Sequence, residues 1–251
     1  MKKIGFLGCG KIGKRLLKEI QEKKLGEVVF IQDPFCMEKE TESVPVITEY
    51  RKELYDQAEL FIECATADAL KKQIERILKK ADLLMFSVTA FSDPAFEEKV
   101  KELTAAYGTK VLIPHGAILG LDGILDGRRI WEEVSIETTK SPASLSRQDI
   151  ERTVVYEGPT REACREYPRN VNVHAAVALS GIGFEKTRSV IISDPSVHTN
   201  AHIIRLKGKG VEMELHVESF TTGGVTGEYT PLSACGSLHR ILDEKAAIQV
   251  V

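Results

Sequence analysis

Short apolar runs alternate with amphipathic stretches through the first 115 residues. Residues 3–7 are a compact apolar run, and 11–23 then place Ile12, Leu16, Leu17 and Ile20 at helical spacing. Apolar runs at 28–32, 60–64, 83–87 and 110–114 read as further strands, and 67–80 and 94–106 as the helices between them. Strands apolar along their whole length, linked by amphipathic helices, predict a parallel sheet covered on both faces. Beyond residue 120 the pattern changes. Residues 131–139 alternate as a strand should, 170–181 are an alanine-rich helix, and strands at 188–193, 202–207 and 211–219 follow closely, the last two joined by a hairpin at Gly208-Lys209-Gly210. Helix returns at 231–242. The predicted fold class is α/β: an N-terminal Rossmann-type doubly wound parallel sheet over 1–118, then a second α+β mixed-sheet domain over 119–230, largely antiparallel. A C-terminal helix within 231–251 is expected to pack back on the first domain, and the glycine-rich segment 221–227 is the candidate mobile loop.

Charge narrows the partners. Among 251 residues, 34 Lys and Arg stand against 37 Asp and Glu, a net charge of −3, so no basic footprint for nucleic acid is present. No apolar run approaches the roughly 20 residues of a membrane helix, and the N-terminus lacks a signal-type apolar region. The expected location is the cytoplasm. Five cysteines, at 9, 36, 64, 164 and 235, are scattered without a CxxC pair; Cys9 and Cys64, within or beside apolar runs, read as small buried thiols.

Gly8, Gly10 and Gly13 form a G-x-G-x-x-G that follows the first strand and opens the first helix, with Lys11 and Ile12 inside it. Asp33 lies 20 residues past Gly13, at the end of the second strand. The first glycine permits the tight turn, the second lets backbone approach a pyrophosphate, and the third brings helix and strand close. The helix N-terminus then presents N–H groups to the phosphates, and the Asp33 carboxylate accepts from the ribose hydroxyls. That carboxylate repels a 2′-phosphate, and Pro34-Phe35-Cys36 offer no arginine, so NAD is favoured over NADP. NADP use stays open through Lys39.

An open α/β sheet binds its ligand at the carboxyl ends of its strands. Here those ends carry Ala65-Thr66, Ser87 and His115-Gly116-Ala117. Of six histidines, His198 and His202 are four apart, yet no Glu follows His198 as HExxH requires, and on a strand about 13 Å separates such side chains. No metal site is proposed. His202, at a predicted loop–strand junction beside Asn200, is a candidate acid/base group. His174 and His216, within periodic segments, read as structural.

Together with Glu63-Cys64-Ala65-Thr66, Pro114 to Asp122, Thr138-Thr139-Lys140, Asn170 to Ala176, Asp194-Pro195 and Asn200-Ala201-His202, the glycine motif resembles the L-aspartate dehydrogenase family over nearly the whole chain. The resemblance implies a Rossmann domain plus a mixed-sheet domain that forms a homodimer. It implies NAD- or NADP-dependent oxidation of L-aspartate to iminosuccinate, which yields oxaloacetate and ammonia or feeds NAD biosynthesis. The family's catalytic histidine falls on His202, a cofactor-contacting asparagine on Asn172, and a backbone contact near the nicotinamide on Ala117, beside Gly116. Two segments depart from the family: His115 and Leu119 replace a serine and a glycine, and residues 226–231 replace an Asn-Pro-Lys-Thr-Ser stretch, losing a lysine and gaining Glu228. Lys140 and Arg169 remain as candidate carboxylate clamps, each also readable as a solvated surface charge. The alternatives are a related oxidoreductase acting on another small carboxylated amine, imine or carbonyl, and a catalytically silent NAD-binding regulator.

Overall fold

The computed structural model describes residues 1–36, 41, 44–220 and 227–242. Lys39, residues 221–226 of the candidate loop and the tail beyond Leu242 lie outside the described residues. The chain forms two compact units, one of Met1–Pro114 with the segment from Pro231 on, the other of His115–Thr230.

The first unit runs β1 (Lys3–Leu7), α1 (Lys11–Lys23), β2 (Glu27–Gln32), β3 (Val46–Ile47), α2 (Lys52–Tyr55), β4 (Leu60–Glu63), α3 (Ala67–Leu78), β5 (Asp82–Met85), α4 (Pro94–Tyr107) and β6 (Val111–Leu112). All pairings are parallel, in the order β3-β2-β1-β4-β5-β6. β1 therefore lies between β2 and β4, and the strand order reverses there, which opens a crevice at the carboxyl end of β1. Ile4, Phe6, Leu60 and Ile62 pack with Leu16, Leu17 and Ile20 of α1 in one core. Ala234, Cys235 and Leu238 join the same core. They come from the final helix, α8 (Tyr229–Leu242).

The second unit contains α5 (Leu121–Asp126), β7 (Trp131–Lys140), β8 (Thr153–Pro159), α6 (Thr160–Glu166), α7 (Asn172–Ser180), β9 (Arg188–Ser193), β10 (Thr199–Gly208) and β11 (Val211–Phe220). Its sheet order is β11-β10-β7-β9-β8. Most neighbours are antiparallel, as the close spacing of the later strands predicts, but β7 and β9 are parallel because β8, α6 and α7 form a crossover between them. β8 is a half-exposed edge strand with a bulge between Val154 and Tyr156, and the bulge breaks the alternation that would mark it in the sequence. His202 is not at a loop–strand junction. β10 begins three residues earlier, because Thr199 to Ala201 continue the ladder against Phe220 to Glu218 of β11. Among the described residues no helix is long and apolar enough to cross a membrane.

Leu238 is fully buried in the first unit's core. Leu238→Ala is expected to lower stability by about 2–5 kcal/mol, the usual cost of a buried leucine truncation, read from the urea midpoint. A change below about 1 kcal/mol would place α8 outside the core.

Candidate active site

The candidate residues fall into two groups, one in each unit. In the first unit, Gly8 has φ +90°, and a Cβ there would meet the Cys64–Ala65 backbone at 2.7 Å, so the turn out of β1 requires glycine. At Gly13 a Cβ would come within 2.9 Å of the Gly8 carbonyl, which is the close helix–strand approach. Around Gly10 the space is open. Gly10 is the N-cap of α1, with no side-chain cap and no acidic residue in the first turn. The N–H groups of this turn, from Lys11 and Ile12 onward, thus meet the electrostatic needs of a bound pyrophosphate. Asp33 Oδ2 accepts from Cys9 N at 2.7 Å, and Oδ1 from Phe35 N at 2.8 Å, which ties the end of β2 to the glycine-rich loop. A carboxylate fixed in this way can accept hydrogen bonds from ribose hydroxyls.

At the ends of β4 and β5, Glu63 is 0% exposed and accepts from Ala65 N (2.8 Å), Ser87 N (2.9 Å), Phe86 N (3.2 Å) and Ser87 Oγ (2.7 Å). Burial pushes its pKa up against these hydrogen bonds, and the net shift is upward. The clasp sets the backbone of Ala65 and Ser87 and commits the Ser87 hydroxyl proton inside the protein. Thr66 caps α3, its Oγ1 accepting from Ala69 N at 3.2 Å.

In the second unit, His202 stands directly opposite Thr138 in the β10–β7 ladder. Alternation places Val134, Ile136, Thr138 and Lys140 of β7 on the buried face, with Asn200, His202, Ile204 and Leu206 of β10. Thr138 Oγ1 is 2.8 Å from His202 Nδ1 and 2.7 Å from His174 Nε2. His174 Nδ1 is 2.9 Å from Ser189 Oγ, which is 2.8 Å from Thr160 Oγ1, which donates to the Thr187 carbonyl at 3.0 Å. His202 is 2% exposed, and burial, with the nearby Lys140 charge, pushes its pKa down to about 3. Burial, then His202 and Lys140, hold His174 well below the ordinary imidazole range.

Lys140 is not a solvated surface charge. It is 3% exposed, its Nζ donates to Asn170 Oδ1 at 3.3 Å, and burial pushes its pKa down to about 8. Among the described residues no carboxylate pairs with it. Arg169, by contrast, is exposed. Asn172 is the first residue of α7. Gly116, at φ +65°, and Ala117 are half-buried in the turn before α5. In the same turn His115 Nε2 lies 3.4 Å from Asp122 Oδ1. Of the replaced segment, Glu228 is exposed and its N–H donates to the Phe220 carbonyl at 3.1 Å.

The sequence pattern marks His174 as structural and assigns no role to Thr138, Ser189 or Thr160. The available signal was the period-2 pattern of 134, 136, 138 and 140, which turns polar at Thr138 while remaining on the buried face.

These groups define a nicotinamide-dependent dehydrogenase of two-unit build. A family model described as "Aspartate dehydrogenase, C-terminal" matches residues 126–241, and one described as "Homoserine dehydrogenase, NAD binding domain" matches 8–114. The chain is 31% identical to the L-aspartate dehydrogenase of Methanosarcina acetivorans, over 97% of this chain and 98% of that one. It is 32% identical to the L-aspartate dehydrogenase of Nitrosopumilus maritimus, over 87% and 88%. The crystal structure of aspartate dehydrogenase from Thermotoga maritima superposes with a TM-score of 0.82 at 28% identity, covering all of both chains. The chain belongs to the L-aspartate dehydrogenase family.

The two buried imidazoles make the fold acid-sensitive. Between the folded pKa of His202, about 3, and its ordinary value of 6.5, the unfolded chain binds a proton that the folded one excludes. Stability therefore falls as pH drops through that window, by up to about 1.4 kcal/mol per pH unit for each such histidine. Urea midpoints of wild type against His202→Gln between about pH 4 and 6.5 check this: the variant's slope should be shallower, and equal slopes would contradict a neutral buried His202.

Proposed function

We propose that the protein oxidises L-aspartate to iminosuccinate with NAD, with His202 as the acid/base group and Lys140 holding a substrate carboxylate. The observation that carries this is Lys140. An ammonium buried without a carboxylate costs several kcal/mol of lost hydration, and its position two residues along the buried face from Thr138, the partner of His202, suits an anionic substrate whose reacting centre must lie at the imidazole. Lys140 thereby supplies the cation that the replaced segment at 226–231 lost.

At neutral pH the substrate amine is an ammonium and must lose a proton before its Cα hydride can leave. His202, held neutral, accepts that proton. The positive field of Lys140 opposes an imidazolium next to it, and a bound carboxylate cancels that field, so His202 becomes a stronger base when substrate is present. Asn200, on the same face of β10, orients the substrate. The Gly8–Gly13 turn and Asp33 hold the dinucleotide, with Ala65, Thr66, Ser87, Gly116, Ala117 and Asn172 as further contacts. Bound NAD supplies the electrophilic nicotinamide carbon that takes the hydride. The Asp33 charge at the end of β2 favours NAD over a 2′-phosphorylated cofactor. Iminosuccinate then hydrolyses to oxaloacetate and ammonia or feeds NAD biosynthesis.

NADH formation from L-aspartate at about pH 9, where more of the substrate amine is neutral, tests the assignment. His202→Ala should lower kcat by about 10²- to 10⁴-fold. Lys140→Met should raise KM for aspartate about tenfold to a hundredfold, the equivalent of one lost charged hydrogen bond. Tight NAD binding without aspartate turnover would overturn the substrate, and an unchanged KM in Lys140→Met would overturn the clamp.

A further inference from the structure

We infer that the buried chain Thr138–His174–Ser189–Thr160, ending on the Thr187 carbonyl, fixes the tautomer of His202 so that Nδ1 carries the proton and Nε2 is the bare, basic nitrogen. The catalytic part of this inference rests on the function proposed above; the tautomer itself does not. Thr138 and His174 are then positioning residues, acting on the substrate only through His202.

Proton counting carries the argument. The chain has five links, each at hydrogen-bond distance: His202–Thr138 at 2.8 Å, Thr138–His174 at 2.7 Å, His174–Ser189 at 2.9 Å, Ser189–Thr160 at 2.8 Å and Thr160–Thr187 O at 3.0 Å. Two electronegative atoms this close repel unless a proton lies between them, so each link needs one. Five protons are available when both imidazoles are neutral: three hydroxyl protons and one N–H from each ring.

The terminal carbonyl has only lone pairs, which sets the direction. Thr160 spends its proton on Thr187, so Ser189 must donate to Thr160. The Ser189 oxygen then has no proton for His174, so His174 donates from Nδ1. A neutral His174 leaves Nε2 as an acceptor, and Thr138 donates to it. With its proton spent, Thr138 can only accept from His202, which must carry hydrogen on Nδ1.

A cationic His174 would reverse the order, since both its nitrogens would donate and Thr138 would be free to donate to His202. Burial keeps His174 neutral: it is 0% exposed, as are Thr160, Thr187 and Ser189. The nearby Lys140 ammonium adds to the cost of a second buried cation. Neutral imidazole in water favours the other tautomer, with hydrogen on Nε2, so the chain holds His202 in the form suited to take a proton rather than give one.

The tautomer is read directly by long-range ¹H–¹⁵N correlation on histidine-labelled protein, without substrate or turnover. Expected is an Nδ1–H His202 with a bare Nε2, unchanged between about pH 6 and 9. A wild-type spectrum with Nε2–H at His202 would overturn the inference outright, whether or not aspartate is the substrate. Thr138→Val, close in shape but unable to hydrogen-bond, should shift His202 toward Nε2–H. It should also lower kcat about tenfold to a thousandfold, with NADH affinity held within about twofold as the sign of an intact fold. Thr138→Ser should restore both tautomer and kcat. Ser189→Ala, two links further along, should give a smaller shift of the same sign. If Thr138→Val keeps both the Nδ1–H tautomer and its kcat, the chain does not position His202. If the spectra follow expectation and aspartate is not turned over, the tautomer control stands and the substrate assignment fails.

Discussion

Beyond Ile136 the buried face of β7 turns polar, and burial obliges each of those polar groups to find its partner inside the protein. An unsatisfied buried donor or acceptor costs about 1–3 kcal/mol, and an unpaired charge more. Thr138 meets this obligation through two imidazoles on different elements, His202 from β10 and His174 from α7. His174 passes it to Ser189 on β9 and so to Thr160 at the start of α6. One strand face thus links four further elements of the second unit, and their packing holds the His202 ring. Lys140, two residues on, meets the obligation only in part. Its single amide partner leaves the ammonium without a counter-ion among the described residues, and the proposed carboxylate site rests on that.

The first unit solves a different problem with backbone. Its candidate dinucleotide-binding features are the open space at Gly10, the start of α1 without a side-chain cap, and an Asp33 held by the loop it faces. Glu63 does the equivalent work between β4 and β5, where four hydrogen bonds to one carboxylate set the two strand ends against each other. Neither arrangement needs a titratable group that changes state during turnover. The group proposed to change state, His202, is in the second unit.

Legibility in the sequence follows from how local each constraint is. The glycine turn, the strand before it, the helix after it and Asp33 are set by short-range sterics and spacing, and all were readable, as was the alternation that builds the parallel sheet. The mixed sheet was read in outline, but the parallel β7–β9 pair depends on a crossover containing the bulged strand β8, and a bulge erases the period-2 signal. Lys140 was readable both as a candidate carboxylate clamp and as a surface charge, because charge type alone does not reveal which face of a strand is covered. Ser189 and Thr160 carry no signal of their own: a hydroxyl in a strand or at a helix start is ordinary, and only the fold brings them in line with His174.

The most direct measurement is calorimetric titration of succinate, a dicarboxylate without the amine, into the NAD-saturated protein at about pH 8.5, repeated in two buffers of different ionisation enthalpy. A Lys140 pKa of about 8 leaves most of these side chains neutral at that pH, and a carboxylate docking there raises the pKa. Binding should therefore draw up to about three-quarters of a proton per site from the buffer at this pH, and the uptake should disappear in Lys140→Met. Binding with no buffer dependence, or uptake that survives in Lys140→Met, would contradict a substrate anion site built on this buried lysine.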